Sequence, residues 1–376
     1  MSANPYDLVP YPSAVIPPAR ADRVLLAAWF QGGPAPEPAP RRICEIGSSD
    51  GSNLLAGAFY RPQHQYIGMD RAERPVEAAR TAVRELGLSN LEFRVGDIRT
   101  RDDQPKGPFQ VIVAHGFYSW VDAASRAALL DFCRAELSEH GVAYISYNTQ
   151  PGWKLRGLVR EILWQAGSRV EDPLERSRVA MEAAARLRRM IPESPHPYQQ
   201  YLARELDLLA GFDPAYVLHD YLSPDNEPLY VREFVETAAR HGPRYVGDAG
   251  FNRADGRLPD GMEDSFAAET LDGIERESFM DILCNRQFRY SLVTHDDTPQ
   301  TTGPALTALD DVVLWSSLTP TDPAWNPDPG LQETFTSETE DELSIEGLPA
   351  RAMLHHLHAA GMAGARFADV LRAVEA

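Results

Sequence analysis

Cysteine is scarce in this chain. The 376 residues hold three, Cys44, Cys133 and Cys284, too far apart to make a CxxC or Cys/His zinc spacing, so no metal site is expected from them. Cys44 falls in a strand-like run and Cys133 in an amphipathic helix pattern, where each packs as a small apolar residue. Long apolar runs are missing as well: none approaches the roughly 20 residues needed to cross a bilayer. Nothing near Met1 reads as a signal peptide, because the first apolar stretch is broken by Pro10, Pro12, Pro17 and Pro18 and no basic segment precedes it. The expectation is a soluble cytoplasmic protein with no membrane insertion.

Positive charge is also short. Lys106 and Lys154 are the only lysines, against 34 arginines, and the formal net charge is -19. A nucleic-acid backbone is therefore not the expected partner, since such binding depends on clustered cations. The acidity is uneven: from Tyr290 to Ala350 there are twelve Asp or Glu and no Lys or Arg. Such a stretch either attracts a cationic substrate or is simply a solvated acidic segment. His355, His356 and His358 do not share one helical face, and the sequence sets no acidic or Cys partner near them, so they too predict no metal.

What is present suffices for one full-sized core and a second, smaller one, at 43% hydrophobic and 9% aromatic content. Residues 1–40 run from the strip Tyr11-Pro12-Ser13 through a helix at Asp22 to Gln31 into a Gly/Pro linker, and read as an N-terminal lid or cap. From 41 to 165 short apolar runs alternate with amphipathic stretches, predicting an α/β, doubly wound, mostly parallel sheet. Its strands are expected at Arg42 to Ile46, Gln65 to Met69, Leu91 to Val95, Val111 to Ala114 and Val142 to Tyr147. Helices are expected from Pro75 to Leu86 and Ala123 to Leu137. Residues 166–300 read as a mainly helical regulatory or substrate region, with one short strand at Arg244 to Gly247. Residues 301–376 read as an acidic linker followed by helices at Pro349 to Gly361 and Phe367 to Val374.

The informative segment is Ile43-Cys44-Glu45-Ile46-Gly47-Ser48-Ser49-Asp50-Gly51-Ser52-Asn53-Leu54. An apolar strand delivers Glu45 at its carboxyl end. A glycine-containing turn then leads into a helix, setting backbone N–H groups and a carboxylate around a crevice. A dinucleotide loop fits worse: Ser49 stands where the middle glycine belongs, the third glycine is missing, and Glu45 would repel a pyrophosphate. S-adenosylmethionine (SAM) carries a cationic amino-acid end and no phosphate, so Glu45 attracts it.

The following strand ends agree. Asp70, with Arg71 beside it, is placed to accept ribose hydroxyl protons, and Asp97 to accept from an adenine amino group with Ile98 against the ring. His115 closes the fourth strand. Polar residues at successive strand ends on one edge are what the crevice rule for open sheets demands. The expected cofactor contacts are therefore Tyr11, Glu45, Gly47, Ser49, Gly51, Asn53, Asp70, Arg71, Asp97, Ile98 and His115, with SAM as cofactor and no metal.

The runs His115-Gly116-Phe117-Tyr118-Ser119-Trp120 and Tyr144-Ile145-Ser146-Tyr147-Asn148-Thr149-Gln150-Pro151-Gly152-Trp153-Lys154 resemble segments of SAM-dependent methyltransferases that carry a methyltransferase regulatory domain. Tyr11-Pro12-Ser13, His219-Asp220-Tyr221-Leu222, Asn226-Glu227-Pro228-Leu229-Tyr230 and Asn285-Arg286-Gln287-Phe288-Arg289 extend the resemblance over most of the chain. The sequence departs from that group at Gly47-Ser48-Ser49, at Ala19-Arg20 and at Asp220, where the group has Glu. The resemblance implies a Rossmann-like class I methyltransferase domain with a seven-stranded sheet, helices on both faces, and helical middle and carboxyl-terminal regions. It is similar to protein-lysine methyltransferases acting on bacterial outer-membrane proteins.

Methyl transfer from a sulfonium is an in-line displacement governed by alignment and exclusion of water. Tyr118, Tyr147, Asn148 and Trp153 follow the fourth and fifth strands and are expected at the acceptor, where aromatic faces hold a cation; the resemblance adds His219. The acceptor is read as a protein or peptide nitrogen, with lysine foremost. A natural-product or small-molecule N- or O-methyltransferase and a SAM-binding regulatory protein without catalysis are the alternatives, and self-association as a homodimer is left open.

Overall fold

The computed structural model describes residues 5–12, 14–250, 261–337 and 342–375. Ser13 and part of the acidic run lie outside the described residues. The chain divides into two compact units, Met1–Thr302 and Gly303–Ala376. Among the described residues no helix is long and apolar enough to cross a membrane.

The first unit is built on a seven-stranded sheet of β1 (Arg42–Ile46), β2 (Gln65–Asp70), β3 (Leu91–Val95), β4 (Phe109–Ala114), β5 (Leu137–Asn148), β6 (Pro243–Asp248) and β7 (Phe288–His295). Their order is β3-β2-β1-β4-β5-β7-β6. β1 pairs in parallel with both β2 and β4, and β7 runs antiparallel between β5 and β6. The order reverses between β1 and β4, so a crevice opens at their carboxyl ends.

The helices of this unit are α1 (Pro5–Leu8), α2 (Ala21–Phe30), α3 (Ser52–Tyr60), α4 (Glu73–Glu85), α5 (Ala123–Glu136), α6 (Gly152–Gly167), α7 (Pro173–Met190), α8 (Pro197–Ala210), α9 (Pro214–Tyr221), α10 (Val231–His241), α11 (Glu263–Ala268) and α12 (Gly273–Leu283). Alternation along the strands assigns each side chain to a face. Val111, Val113 and Tyr144 pack with Val24, Leu54, Val76 and Ala79 of α2 to α4. Ile112, Ala114 and Tyr147 pack on the other face with Leu129, Phe132 and Phe234 of α5 and α10. Each fully buried aliphatic side chain contributes roughly 1.5–3 kcal/mol. A third cluster, Val159, Leu163, Leu206, Val217 and Tyr221, joins α6 to α9, and Val9 of the N-terminal strip packs into it.

Several helix starts are set by an aspartate whose carboxylate accepts a backbone N–H of the first turn: Asp122 for α5, Asp172 for α7, Asp213 for α9 and Asp272 for α12. The stretch 166–300, expected to be mainly helical, also supplies β6 and β7 and so completes the sheet. β7 was not expected as a strand: Arg289 breaks its apolar pattern, yet that side chain is fully buried. Its guanidinium donates to both oxygens of Asp281, each at 2.8 Å, and to Glu277 Oε2 at 2.6 Å, with Asp248 at 3.6 Å.

The second unit holds α13 (Leu348–Ala360) and α14 (Phe367–Glu375), matching the helices expected there. Its described residues also include short strands. β8 (Val313–Leu314) pairs with β12 (Ala365–Arg366), and β9 (Thr319–Pro320), β10 (Glu333–Thr336) and β11 (Glu342–Ile345) form an antiparallel sheet. One expectation is corrected. His355 does have an acidic partner, because β10 brings Glu333 Oε1 to 2.6 Å from its Nε2. Among the described residues no group of three or more His, Cys, Asp or Glu is placed to hold a metal ion.

Candidate active site

Glu45 closes β1 with its side chain buried. Its Oε1 accepts from Asn53 Nδ2 at 3.2 Å, while Oε2 is buried without a hydrogen-bond donor. Burial pushes the carboxyl up to about 8, offset in part by Asn53. The turn that follows bends through three left-handed residues, Gly47, Ser49 and Gly51, at φ 75°, 46° and 76°. At Gly51 a Cβ would stand 2.2 Å from the Phe93 ring, so the turn requires glycine there. The Ser49 N–H donates to Asp70 Oδ2 at 2.9 Å, and the Ala72 N–H to Asp70 Oδ1 at 2.9 Å. Burial raises the Asp70 carboxyl, and these backbone bonds hold it partly down. Glu45, Gly47, Ser49, Gly51, Asn53 and Asp70 thus meet around the ends of β1 and β2, as their sequence positions predict.

Asp97 is half-buried and clamped by Arg99, whose Nη2 donates to Oδ2 at 2.6 Å and whose Nε donates to Oδ1 at 3.1 Å. Arg99 holds its carboxyl down at about 2. Arg71 is exposed, with Nε 3.5 Å from Asp97, and Ile98 is buried in the core beneath. His115 shares a hydrogen bond with the Tyr144 hydroxyl, Nδ1 to O 3.0 Å, and stacks against Tyr144 and Tyr290. Burial holds its imidazole neutral, with the pKa down at about 4.

At the acceptor side the picture is mixed. Asn148 Nδ2 donates to Asn226 Oδ1 at 2.8 Å, fixing the side-chain amide at the end of β5. Trp153 is buried at the start of α6, with the edge of Trp120 and the Arg156 guanidinium against it. Tyr118 and Tyr147 are corrected: both rings are buried in the α5/α10 core, packed on Phe234. The Tyr147 hydroxyl pairs with Ser291 Oγ at 3.0 Å. Residue 147 points to the sheet face opposite Tyr144, as alternation along β5 requires. Burial pushes the Tyr118 phenol up to about 12 and that of Tyr147 higher still, so neither serves as a base.

The N-terminal strip closes the far side. The Asp7 carboxylate accepts from the Arg74 N–H at the start of α4, 2.9 Å, and the Ile16 N–H donates to Asn53 Oδ1 at 3.2 Å. Between those points Tyr6 stacks on His219 with ring centroids 4.4 Å apart. His219 Nε2–H donates to the Val9 carbonyl at 2.8 Å, so its ring serves to hold the strip. Tyr11 lies 5.7 Å from the His219 ring and donates its hydroxyl to Asp220 Oδ1 at 3.2 Å. Asp220, Tyr6, Tyr216 and Asn226 were not expected as site residues. Asp220 and Asn226 stand inside runs that the sequence singled out, which was the available signal.

Comparison with known proteins follows this geometry. Residues 43–141 match a family described as a methyltransferase domain, and residues 213–295 one described as a predicted methyltransferase regulatory domain. The chain is similar in structure to PKMT2 from Rickettsia typhi in complex with AdoHcy, with TM-score 0.81 and 26% identity, covering 97% of this chain and 71% of that one. An uncharacterized protein of Rickettsia prowazekii is 33% identical over 298 residues, 78% of this chain and 53% of that protein. A second uncharacterized protein of the same organism is 29% identical over 238 residues, 62% of this chain and 94% of that protein. This chain therefore spans about half the length of the first of these two relatives.

Proposed function

We propose that this chain, which belongs to the class I SAM-dependent methyltransferases carrying a methyltransferase regulatory domain, binds SAM at the carboxyl edge of β1 to β4 and methylates a protein or peptide nitrogen, foremost that of lysine. The observation that carries the reading is the buried Glu45 carboxylate, whose Oε2 has no donor. A buried acceptor left unmatched costs about 1–3 kcal/mol. An ammonium group donating to it removes that cost and supplies the matching charge, which fits the amino-acid end of SAM and not a pyrophosphate.

When bound, SAM supplies an electrophilic methyl group on a sulfonium. The protein's own residues do the rest by binding and alignment. Glu45 and Asn53 hold the amino-acid end, and the Gly47–Gly51 turn lets the backbone approach closely. Asp70 is oriented by the Ser49 and Ala72 N–H groups with lone pairs left for ribose hydroxyls. Asp97 flanks the adenine, with Arg71 at the rim and Ile98 in the core beneath. Neutral His115 and the fixed Asn148 amide face the reacting end, with Trp153 behind. The strip through Tyr11 is the lid that excludes water, and residues 166–300 shape access for the acceptor. The location is cytoplasmic and the partner is the acceptor rather than a nucleic acid.

Calorimetry with SAM and S-adenosylhomocysteine, followed by mass spectrometry of lysine peptides incubated with protein and SAM, tests the reading. Micromolar binding and a mass gain of one methyl group or more on lysine are expected. Absence of binding would remove the cofactor assignment, and binding without transfer to any acceptor would leave a regulatory SAM-binding protein.

A further inference from the structure

Asp220 has an unusual position for an aspartate. It stands in the last turn of α9, where the helix dipole disfavours a carboxylate by about 0.3–1 kcal/mol. Its donors are phenols, Tyr11 from the N-terminal strip at 3.2 Å and Tyr216 one turn back on α9. The cation that acts on its charge, Arg156 of α6, makes its hydrogen bonds elsewhere: its Nε donates to the Tyr221 hydroxyl at 2.7 Å and its Nη1 to Gln287 Oε1 at 3.2 Å. Among the described residues no cation forms an ion pair with Asp220. The surroundings are aromatic, with Tyr6 stacked on the neighbouring His219, Tyr11 tilted 6.1 Å from Tyr216, and Phe212 and Tyr221 behind them. Tyr11 lies on the strip between Asp7, which is bonded to the start of α4, and Ile16, which is bonded to Asn53, so the segment that Asp220 holds is the one tied to the ends of β1 and β2.

We propose that Asp220 is the receptor and proton acceptor for the amino nitrogen that is methylated, which makes the site selective for a primary alkylamine over a hydroxyl or an aromatic nitrogen. The inference rests on the methyltransferase reading above. A carboxylate set among aromatic rings, and ion-paired with no described cation, is completed by an alkylammonium through one ion pair and cation–π contacts. Tyr11 donates to Oδ1, Tyr216 is the second phenol donor, and a remaining lone pair of Oδ2 takes the ammonium. In this dry setting the ammonium passes one N–H proton to Oδ2, giving a neutral amine and a neutral acid. The nitrogen lone pair then forms the N–C bond as the C–S bond breaks, its electron pair going to sulfur. Asp220 returns its proton to solvent when product leaves. Burial holds the Asp220 carboxyl up at about 6 against the opposing pull of Tyr216, Arg156 and Tyr11, which brings it towards a desolvated amine.

The full chain is tested as wild type, Asp220→Asn and Asp220→Glu, with three readouts: SAM affinity, the pH profile of kcat/KM on lysine peptides, and binding of n-butylammonium to the S-adenosylhomocysteine-loaded protein. Asp220→Asn is expected to bind SAM within threefold of wild type, to lose at least a hundredfold in kcat/KM, and to weaken n-butylammonium binding at least tenfold. Asp220→Glu restores part of the rate and displaces the acid limb of the profile. A purely structural role would lower the rate without moving that limb, and an Asp220→Asn rate within threefold of wild type overturns the proposal. Should wild type bind SAM yet methylate no peptide, the enzymatic reading fails while n-butylammonium binding decides on Asp220 alone; a wild type that binds no n-butylammonium overturns the proposal.

Discussion

Carboxylates at two places against the same sheet are treated in opposite ways. At β6 and β7, Asp248, Asp281 and Glu277 converge on Arg289, and Asp281 is met by two guanidinium nitrogens. At β1, Glu45 is equally buried yet meets one neutral amide and nothing on its second oxygen. A buried carboxylate met by guanidinium groups is held in the fold, whereas one with an oxygen left short carries a cost that a donating ligand can remove. The difference separates a cluster that braces β6 and β7 from the end of β1 where the cofactor is proposed to bind.

The comparison breaks most sharply at Arg289. Arg289→Met is expected to cost about 3–5 kcal/mol, because it removes the guanidinium that donates to both oxygens of buried Asp281 and leaves Arg286 as the cation beside Asp281 and Asp248; urea denaturation gives the value. Glu45→Gln should act in the reverse sense. It leaves stability unchanged or raised near neutral pH and weakens SAM tenfold or more, about 1.4 kcal/mol. Equal losses of stability from both variants would show that the two clusters have one role.

Acid–base behaviour sharpens the same contrast. The Glu45 carboxyl of the free protein sits near 8, raised by burial above its ordinary value. Its contribution to stability is therefore full in acid and is lost as pH rises through about 8. A cationic ligand requires the carboxylate, so binding below pH 8 releases a proton and affinity climbs from pH 6 towards 8. Calorimetry in two buffers of different ionisation enthalpy should record that proton in wild type and not in Glu45→Gln. The smallest expected effect is at Ser49, held at φ 46°. Ser49→Gly relieves left-handed strain and should stabilise by about 1 kcal/mol or less, with SAM affinity within threefold.

Much of this architecture is legible in the residues. β1 to β4 are apolar runs with Glu45, Asp70, Asp97 and His115 at or just past their ends, and a strand end is a position that sequence alone can mark. β7 hides because Arg289 interrupts it, and the charge makes sense only beside Asp281 and Glu277, which arrive from α12. The strands of the second unit are two to four residues long, too short for periodicity. Tyr118 and Tyr147 show another limit: proximity to a strand end does not say which face a ring takes. Asp220 lies in the run His219-Asp220-Tyr221-Leu222, but its significance depends on the hydrogen bond from Tyr11, distant in sequence.

The antiparallel strand β7 has a consequence for the birth of the protein on the ribosome. β5 is twelve residues long and almost wholly buried, and its open edge is closed only by residues 288–295. Until synthesis has passed all of α6 to α12, the nascent methyltransferase domain presents an apolar strand edge of the kind that templates aggregation. The region matched as regulatory is thus also the closing piece of the catalytic sheet. A gene cut after residue 165 should yield inclusion bodies rather than a slower enzyme, and evolution cannot shed that region without first redesigning β5.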